Sequence, residues 1–366
     1  MTTGQEEAVV ALAGSHERYD NIDLLRAVAV VAVMLFHYTA RFPQDYVHFS
    51  QPVWRFNYGF MGVDLFFIIS GYCIYMTATH CRGVGLFWAR RFSRLQPAYM
   101  AAILVTFAVV SLFGLPDRGV TGLQALANMA WLNGIGVVPH VDGVYWSLIS
   151  EIKLYLLFGL LYFGLKSRGD PILWWSALCL AGAAVMLVDR HSFGGSVQDW
   201  SQDFATFVFP ASAFFLMGML IYRWAETPAV TRLFAIAVFA GVCCLYGPGW
   251  KERIILIALF PLAKLALDRK SLTVPAPLVF VGFVSYPLYL LHQNIGVVAL
   301  RQLAPYISSE YARIAVAAAI SLALAALIGV AVEHRFRKPL ERASERLFSA
   351  IVALPWQFGM LRTKRS

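Results

Sequence analysis

Several ionisable residues stand inside long apolar runs, where a charge costs most and therefore points to chemistry. Arg26 and His37 share the first such run. They are 11 residues apart, which on a helix is about 20° past three full turns and about 16 Å along the axis, so they share a face. Asp23 is three residues before Arg26 and can pair with it on that helix. Asp64 lies in the next run, Gly62-Val-Asp64-Leu-Phe-Phe-Ile-Ile-Ser70-Gly71-Tyr72. Glu151 and Tyr155 lie at i, i+4 in Trp146-Ser-Leu-Ile-Ser-Glu151-Ile-Lys153-Leu-Tyr155, and Tyr289 and His292 at i, i+3 in Ser285-Tyr286-Pro-Leu-Tyr289-Leu-Leu-His292. Arg90, Arg91 and Arg94 crowd one stretch ahead of Pro97. A histidine near its working pH suits general-base chemistry, with a carboxylate to orient its ring. Clustered guanidiniums suit phosphate. His37 is the candidate base, Glu151, Asp64 and Arg26 its candidate supports, and Arg90, Arg91 and Arg94 a candidate anion site.

These residues need rigid elements around them, and composition says which. The chain has 366 residues, 59% hydrophobic and only 14% charged, with a mean hydropathy of +0.63. Soluble domains carry about 25% charged residues, so a water-soluble enzyme, a disordered chain and a disulfide scaffold are excluded. The expectation is an all-α, polytopic helical integral membrane protein. About ten spans are read at 22–40, 58–79, 96–115, 144–165, 172–188, 204–222, 231–247, 252–268, 275–299 and 313–333. A polar tail over 1–20 precedes the membrane domain at 21–334, and a basic tail follows over 335–366. The first 20 residues hold no cleavable apolar core, so the first span is expected to serve as an uncleaved anchor. The net charge of +9 sits mostly in alternate loops. The excess of Lys and Arg there puts both termini on the cytoplasmic side, and nucleic acid is not implied. Gly62 and Gly71 are expected to let another helix approach closely. Cys73, Cys81, Cys179, Cys243 and Cys244 have no metal-ligand spacing and read as small apolar fillers.

Taken together, the segments resemble the membrane-bound acyltransferase-3 family. The Arg26-x10-His37 spacing resembles the family's Arg-x10-His signature, and Gly62 to Tyr72 its G-V-x-x-F-F-x-x-S-G-[FY] segment. Arg90-Arg91-x-x-Arg94-x-x-Pro97-x-Tyr99 resembles its arginine cluster, and Trp146-Ser-Leu-x-x-Glu151-x-x-x-Tyr155 its W-S-L-x-x-E-x-x-x-Y run. Ser285-Tyr286-x-Leu-Tyr289-x-x-His292 resembles a late run, and Glu333 a terminal acid. One departure is Ile149-Ser150 where Ser-Val is common.

The resemblance implies a multi-pass enzyme of the cell (inner) membrane that moves an acyl group, most often acetyl, from cytoplasmic acyl-CoA to a hydroxyl. The acceptor would be a surface polysaccharide, O-antigen or lipid-linked sugar, and acyl-CoA a co-substrate rather than a resident cofactor. Membrane lipids are the remaining expected partner, and no metal is expected. The donor's phosphates would meet Arg90, Arg91 and Arg94. Ser70, Trp146, Tyr155 and Tyr289 are candidate oxyanion or positioning groups, with His292 beside them. Direct and covalent two-step transfer both remain open. The competing class is a transporter or lipid-linked sugar flippase, since proton relays use the same residue types.

With both termini inside, a green fluorescent protein fused after Ser366 should fluoresce in a bacterial host, and alkaline phosphatase fused there should stay inactive. The reverse pattern would contradict the charge-based orientation.

Overall fold

The structure is a computed structural model that describes residues 20–45, 54–135, 137–165, 167–192, 209–269 and 273–363. Its main helices are α1 (Asp20–Phe36), α2 (Gly62–Thr79), α3 (Val84–Phe113), α4 (Gly122–Met129), α5 (Tyr145–Leu165), α6 (Pro171–Ser192), α7 (Phe209–Tyr222), α8 (Ala229–Tyr246), α9 (Trp250–Asp268), α10 (Ala276–Phe283), α11 (Ser285–Leu303), α12 (Glu310–Ile328) and α13 (His334–Thr363). No strand occurs among the described residues, in line with the all-α expectation.

Among the described residues, six helical segments are long and apolar enough to cross a membrane, and a seventh crossing results if α10 and α11 form one broken span. The other three expected spans are present as helices. α7 is described from Phe209 onward, and α6 is a shorter apolar helix over Pro171–Val185, with Met186, Leu187 and Val188 continuing its apolar run in the sequence. α9 carries Lys251, Glu252, Arg253, Lys264 and Asp268. Of the expected span at 204–222, residues 204–208 lie outside the described residues, as do 1–19 of the polar tail.

Two boundaries differ from the sequence reading. The third span was expected to start at residue 96, but α3 starts at Val84 and runs for 30 residues through Pro97. The arginines before Pro97 are therefore on the same rod as the span. The basic tail is a helix, α13, that packs along this first part of α3. Phe348 meets Trp88 and Phe92 at ring-centroid distances of 6.1 and 5.9 Å. Arg82 pairs with Glu345, and Arg90 with Glu341 at 3.4 Å.

Small residues and aromatic rings set the helix spacing. A Cβ on Gly71 would lie 2.0 Å from the Phe215 carbonyl oxygen, and one on Gly218 1.9 Å from that of Ile68. The two glycines thus let α2 and α7 touch backbone to backbone, as expected for Gly71. Gly62 does the same for α2 on α1, beside the Ala29 carbonyl. Around this seam Tyr75, Phe158, Trp175 and Phe215 pack as one aromatic cluster.

Two irregularities aim the chemistry. After Phe36 the chain makes a π-turn, His37–Arg41, the wider turn that recurs at functional sites. Between α10 and α11 the chain bends by 73°. Pro287 accounts for the bend: it lacks an N–H for the Phe283 carbonyl, and its ring would clash with that carbonyl in a continuous helix. Gly282 seats the end of α10 against the Asp23 backbone. Glu333 closes a second π-turn, Gly329–Glu333, and its side chain is outside the described residues.

Substituting Gly71 or Gly218 by valine should separate α2 from α7 and cost about 1–3 kcal/mol or more through overpacking. The thermal midpoint in detergent should fall at both sites, whereas Gly241→Val, where a Cβ would meet open space, should leave it unchanged.

Candidate active site

Two cavities follow one another along α11, and its turn from Tyr289 to His292 is the wall between them. The larger, about 90 Å³, is lined by Arg26, Ser70, Cys73, Arg91, Arg94, Glu151, Tyr155, Tyr286 and Tyr289 among others. The smaller, about 10 Å³, is lined by His37, Arg41, Phe42, Leu115, Arg118, Gln293, Asn294 and Val297. Tyr289 on the first side and His292 next to the second are one helical turn apart on α11. Tyr289 is fixed in the wall: its hydroxyl is 2.6 Å from Ser147 Oγ, and its ring meets Phe66 edge-on at 5.7 Å.

The larger cavity is cationic. Its described lining holds three guanidiniums and one carboxylate. Arg91 and Arg94 are three residues apart and share a face of α3, while Arg90, 100° round from Arg91, faces α13 instead. Arg90 binds Glu341 and donates to the His80 carbonyl at 3.3 Å. So the expected trio divides: Arg91 and Arg94 line the cavity with Arg26, and Arg90 does not. Arg91 donates to the Thr77 hydroxyl, and its buried Nε has no hydrogen-bond partner among the described residues. Arg26 pairs with Asp23 at 3.5 Å, as the i, i+3 spacing predicts, and reaches Cys73 Sγ at 3.6 Å.

Glu151 belongs to this cavity too. Its Oε1 accepts from Ser70 Oγ at 2.7 Å and from the Tyr155 hydroxyl, and those two hydroxyls are 2.9 Å apart. Ser70, Glu151 and Tyr155 therefore form one hydrogen-bonded group that ties α2 to α5. Asp64 is buried in the first turn of α2. Trp146 is half-buried, and its carbonyl accepts from Ser150 Oγ at 3.1 Å.

His37 is on the other side of the wall, against a second histidine. His37 Nδ1 is 3.1 Å from His292 Nε2 and 2.9 Å from the Val33 carbonyl oxygen. His292 is fully buried, with its Nδ1 2.8 Å from the Tyr289 carbonyl oxygen. A carbonyl only accepts, so His292 Nδ1 carries a proton and, in the neutral ring, its Nε2 carries a lone pair. His37 Nδ1 then faces two acceptors and must be protonated. The proton order leaves His37 Nε2 as the basic nitrogen. The group expected to orient His37 was Glu151 or Asp64. The structure instead sets His292 against the ring and engages Glu151 with Ser70 and Tyr155 in the other cavity.

Tyr38 braces this pair. It is fully buried, donates to the His292 carbonyl at 2.8 Å and lies 3.1 Å from Ser321 Oγ. Asp142 was not among the sequence candidates. It is fully buried in the connection before α5 and accepts from the Asn294 N–H at 2.9 Å and the Val144 N–H at 3.2 Å. Burial pushes its carboxyl up to about 7, against the opposing pull of those N–H groups and of Arg118. An Asp-Gly pair just ahead of a span was the available signal, but it reads as an ordinary turn. No group of three or more His, Cys, Asp or Glu side chains suited to a metal occurs among the described residues.

The chain is similar in sequence to several known proteins. It is 28% identical over 169 residues to "Acyltransferase MdmB" of Streptomyces mycarofaciens, covering 44% of this chain and 39% of that protein. It is 28% identical over 196 residues to "Putative peptidoglycan O-acetyltransferase YrhL" of Bacillus subtilis, covering 47% and 29%. It is 30% identical over 164 residues to "Peptidoglycan O-acetyltransferase OatA" of Listeria monocytogenes, covering 39% and 24%. The chain thus spans well under half the length of these relatives. No solved structure matches it. The family model described as "Acyltransferase domain" matches residues 19–332, which include both cavities and their wall, and the chain belongs to this acyltransferase-3 family.

Proposed function

We propose that this protein is a membrane O-acyltransferase. It takes an acetyl group from acetyl-CoA at the arginine-lined cavity and transfers it to a hydroxyl of a polysaccharide or lipid-linked sugar, with His37 as general base. The observation that carries the reading is the wall itself: a cationic cavity on one side and a proton-ordered histidine pair on the other, joined through one turn of α11. Family membership and relatives named as O-acetyltransferases support the same reaction class.

The chemistry follows from the groups present. Coenzyme A is polyanionic and cannot enter lipid, but guanidiniums bind phosphate oxygens in pairs. Arg91 and Arg94 take the phosphates, with Arg26 deeper on the same cavity. The thin pantetheine arm passes Tyr289 and Phe66 to bring the thioester to His37. His37 Nε2 removes the proton from the acceptor hydroxyl as its oxygen attacks the thioester carbon. The tetrahedral oxyanion collapses, the carbon–sulfur bond breaks, and the His37 imidazolium returns its proton to the leaving thiolate. The products are an O-acetyl ester and coenzyme A. His292 takes the part that a carboxylate takes in a serine-protease triad. Its neutral Nε2 fixes the His37 tautomer and accepts from the imidazolium, without the cost of burying an anion beside it. The donor reaches the Arg91 end from the cytoplasm, and the membrane is the cell's inner one. A transporter needs no phosphate site beside a base, and no observation here favours that reading.

His37→Ala should lower acetyl transfer from labelled acetyl-CoA to membrane glycans by about 10²–10⁴-fold, the usual worth of a general base. His292→Ala should lower kcat with KM for acetyl-CoA nearly unchanged, because its effect falls on the transition state. Equal labelling by wild type and His37→Ala membranes would remove His37 as the base. An acyl-enzyme that survives denaturation would replace direct transfer by two steps.

Arg91→Ala and Arg94→Ala should each raise KM for acetyl-CoA by roughly tenfold, about the worth of one charge-assisted hydrogen bond. Arg90→Ala, which breaks the contact with α13 instead, should change it much less. Initial rates over a donor concentration series would separate the three.

A further inference from the structure

The small cavity at His37 holds a second pair of guanidiniums, which the donor chemistry does not use. Arg41 and Arg118 line it together with Gln293. The π-turn His37–Arg41 starts at the base and ends at a cation, so the two cannot move independently. Arg118 comes from the connection after α3 and is half-buried. Gly143 makes its position possible. A Cβ there would lie 2.9 Å from Arg118 Nη1 and 3.0 Å from both polar atoms of the Gln293 amide. Three chain segments, the π-turn, the 115–143 connection and α11, thus converge polar groups on one space.

That space is selective by size. A volume of about 10 Å³ holds roughly one water-sized group. Arg41 is exposed, so the rest of any molecule extends outward past it. The apolar side chains of Phe42, Leu115 and Val297 complete the lining, and charge-assisted bonds are stronger where such walls exclude water. Both arginines already make contacts within the protein, which hold them in place. A guanidinium has five N–H donors, so a fixed one still serves an anion. The Asp142 carboxyl near Arg118 is committed to the backbone N–H groups of Asn294 and Val144.

We propose that this cavity is the acceptor site and that it selects an anionic sugar: one hydroxyl lies against His37, and a carboxylate or phosphate of the same molecule binds Arg41 and Arg118. The inference rests on the acyltransferase reading and narrows it to acidic glycans or sugar phosphates, which enter from the end opposite the donor.

The test is direct binding, read without turnover, to the full chain in nanodiscs of neutral lipid. Saturation-transfer NMR would compare three probes: a uronic-acid disaccharide, a hexose phosphate and a neutral disaccharide. At least one anionic probe should bind about tenfold more tightly than the neutral one and weaken with added salt. The Arg41→Gln/Arg118→Gln double variant should lose that preference, and Arg41→Lys/Arg118→Lys should regain part of it. A preference for the uronic acid alone assigns a carboxylate, and for the phosphate alone a phosphorylated sugar. Equal binding of all three probes, no binding of either anion, or a salt-independent preference would overturn the proposal. Should the double variant fail to fold, the single variants Arg41→Gln and Arg118→Gln, measured with coenzyme A filling the arginine-lined donor cavity, decide: an unchanged preference for the anionic probe in both would overturn the proposal. Failure of the acyltransferase reading would show separately, as acetyl transfer that does not depend on His37.

Discussion

A polar group at membrane depth must find its hydrogen bonds within the protein, because lipid offers none. That constraint organises this molecule. Hydroxyls on the helices return to their own backbone, as Thr39 does to Leu35, Thr77 to Cys73 and Ser176 to Ile172. The groups that their own backbone cannot satisfy are satisfied by other side chains, within a helix or across two, and those pairs are where the functional residues lie. Glu151 is held by Ser70 and Tyr155, Arg26 by Asp23, and His37 by His292. Each pairing both removes a cost and fixes an orientation.

The same constraint explains why the chemistry sits at irregular backbone. A straight helix through residues 276–303 would carry Tyr289 and His292 on a different line. The 73° bend at Pro287 makes α11 the wall between the cavities, with a donor-side tyrosine and a base-side histidine one turn apart. The π-turn after Phe36 then brings His37 and Arg41 to the far side of that wall. Neighbouring segments hold both features. Gly282 against Asp23 and Tyr38 against the His292 carbonyl anchor them, so the fold around the site is as constrained as the site.

Much of this was legible in the sequence, for identifiable reasons. Composition gave the all-α membrane class, and glycine at 62 and 71 announced close crossings because only a missing Cβ allows them. The i, i+3 rule gave Asp23 with Arg26. What the sequence could not give was the choice among equivalent partners. Arg90 and Arg94 are as compatible with one face as Arg91 and Arg94, and the decision came from α13, whose Glu341 claims Arg90. Glu151 looked like the natural partner for His37, since a carboxylate orients imidazole in known triads. Its own helix offered Tyr155 one turn away and α2 offered Ser70, so it was already satisfied. His292 became the partner through the bend at Pro287, a tertiary fact that spacing within one segment does not encode. Arg41 and Arg118 belong to no motif in the sequence, because their convergence with Gln293 depends on the connection folding back over α11.

The wall separates donor cavity from base, so the reaction requires the acyl group to pass it. The most direct measurement is a structure of the protein in lipid with a non-hydrolysable acetyl-CoA analogue. If transfer runs through His37, the phosphates lie on Arg91 and Arg94, the pantetheine passes a displaced Tyr289, and the acyl carbon comes within about 6 Å of His37 Nε2. That distance is room for one attacking oxygen at near-attack and hydrogen-bond distances of about 3 Å each. An analogue whose acyl group stays among Ser70, Glu151 and Tyr155, with Tyr289 still bonded to Ser147, would contradict His37 as the base and move the chemistry to the larger cavity.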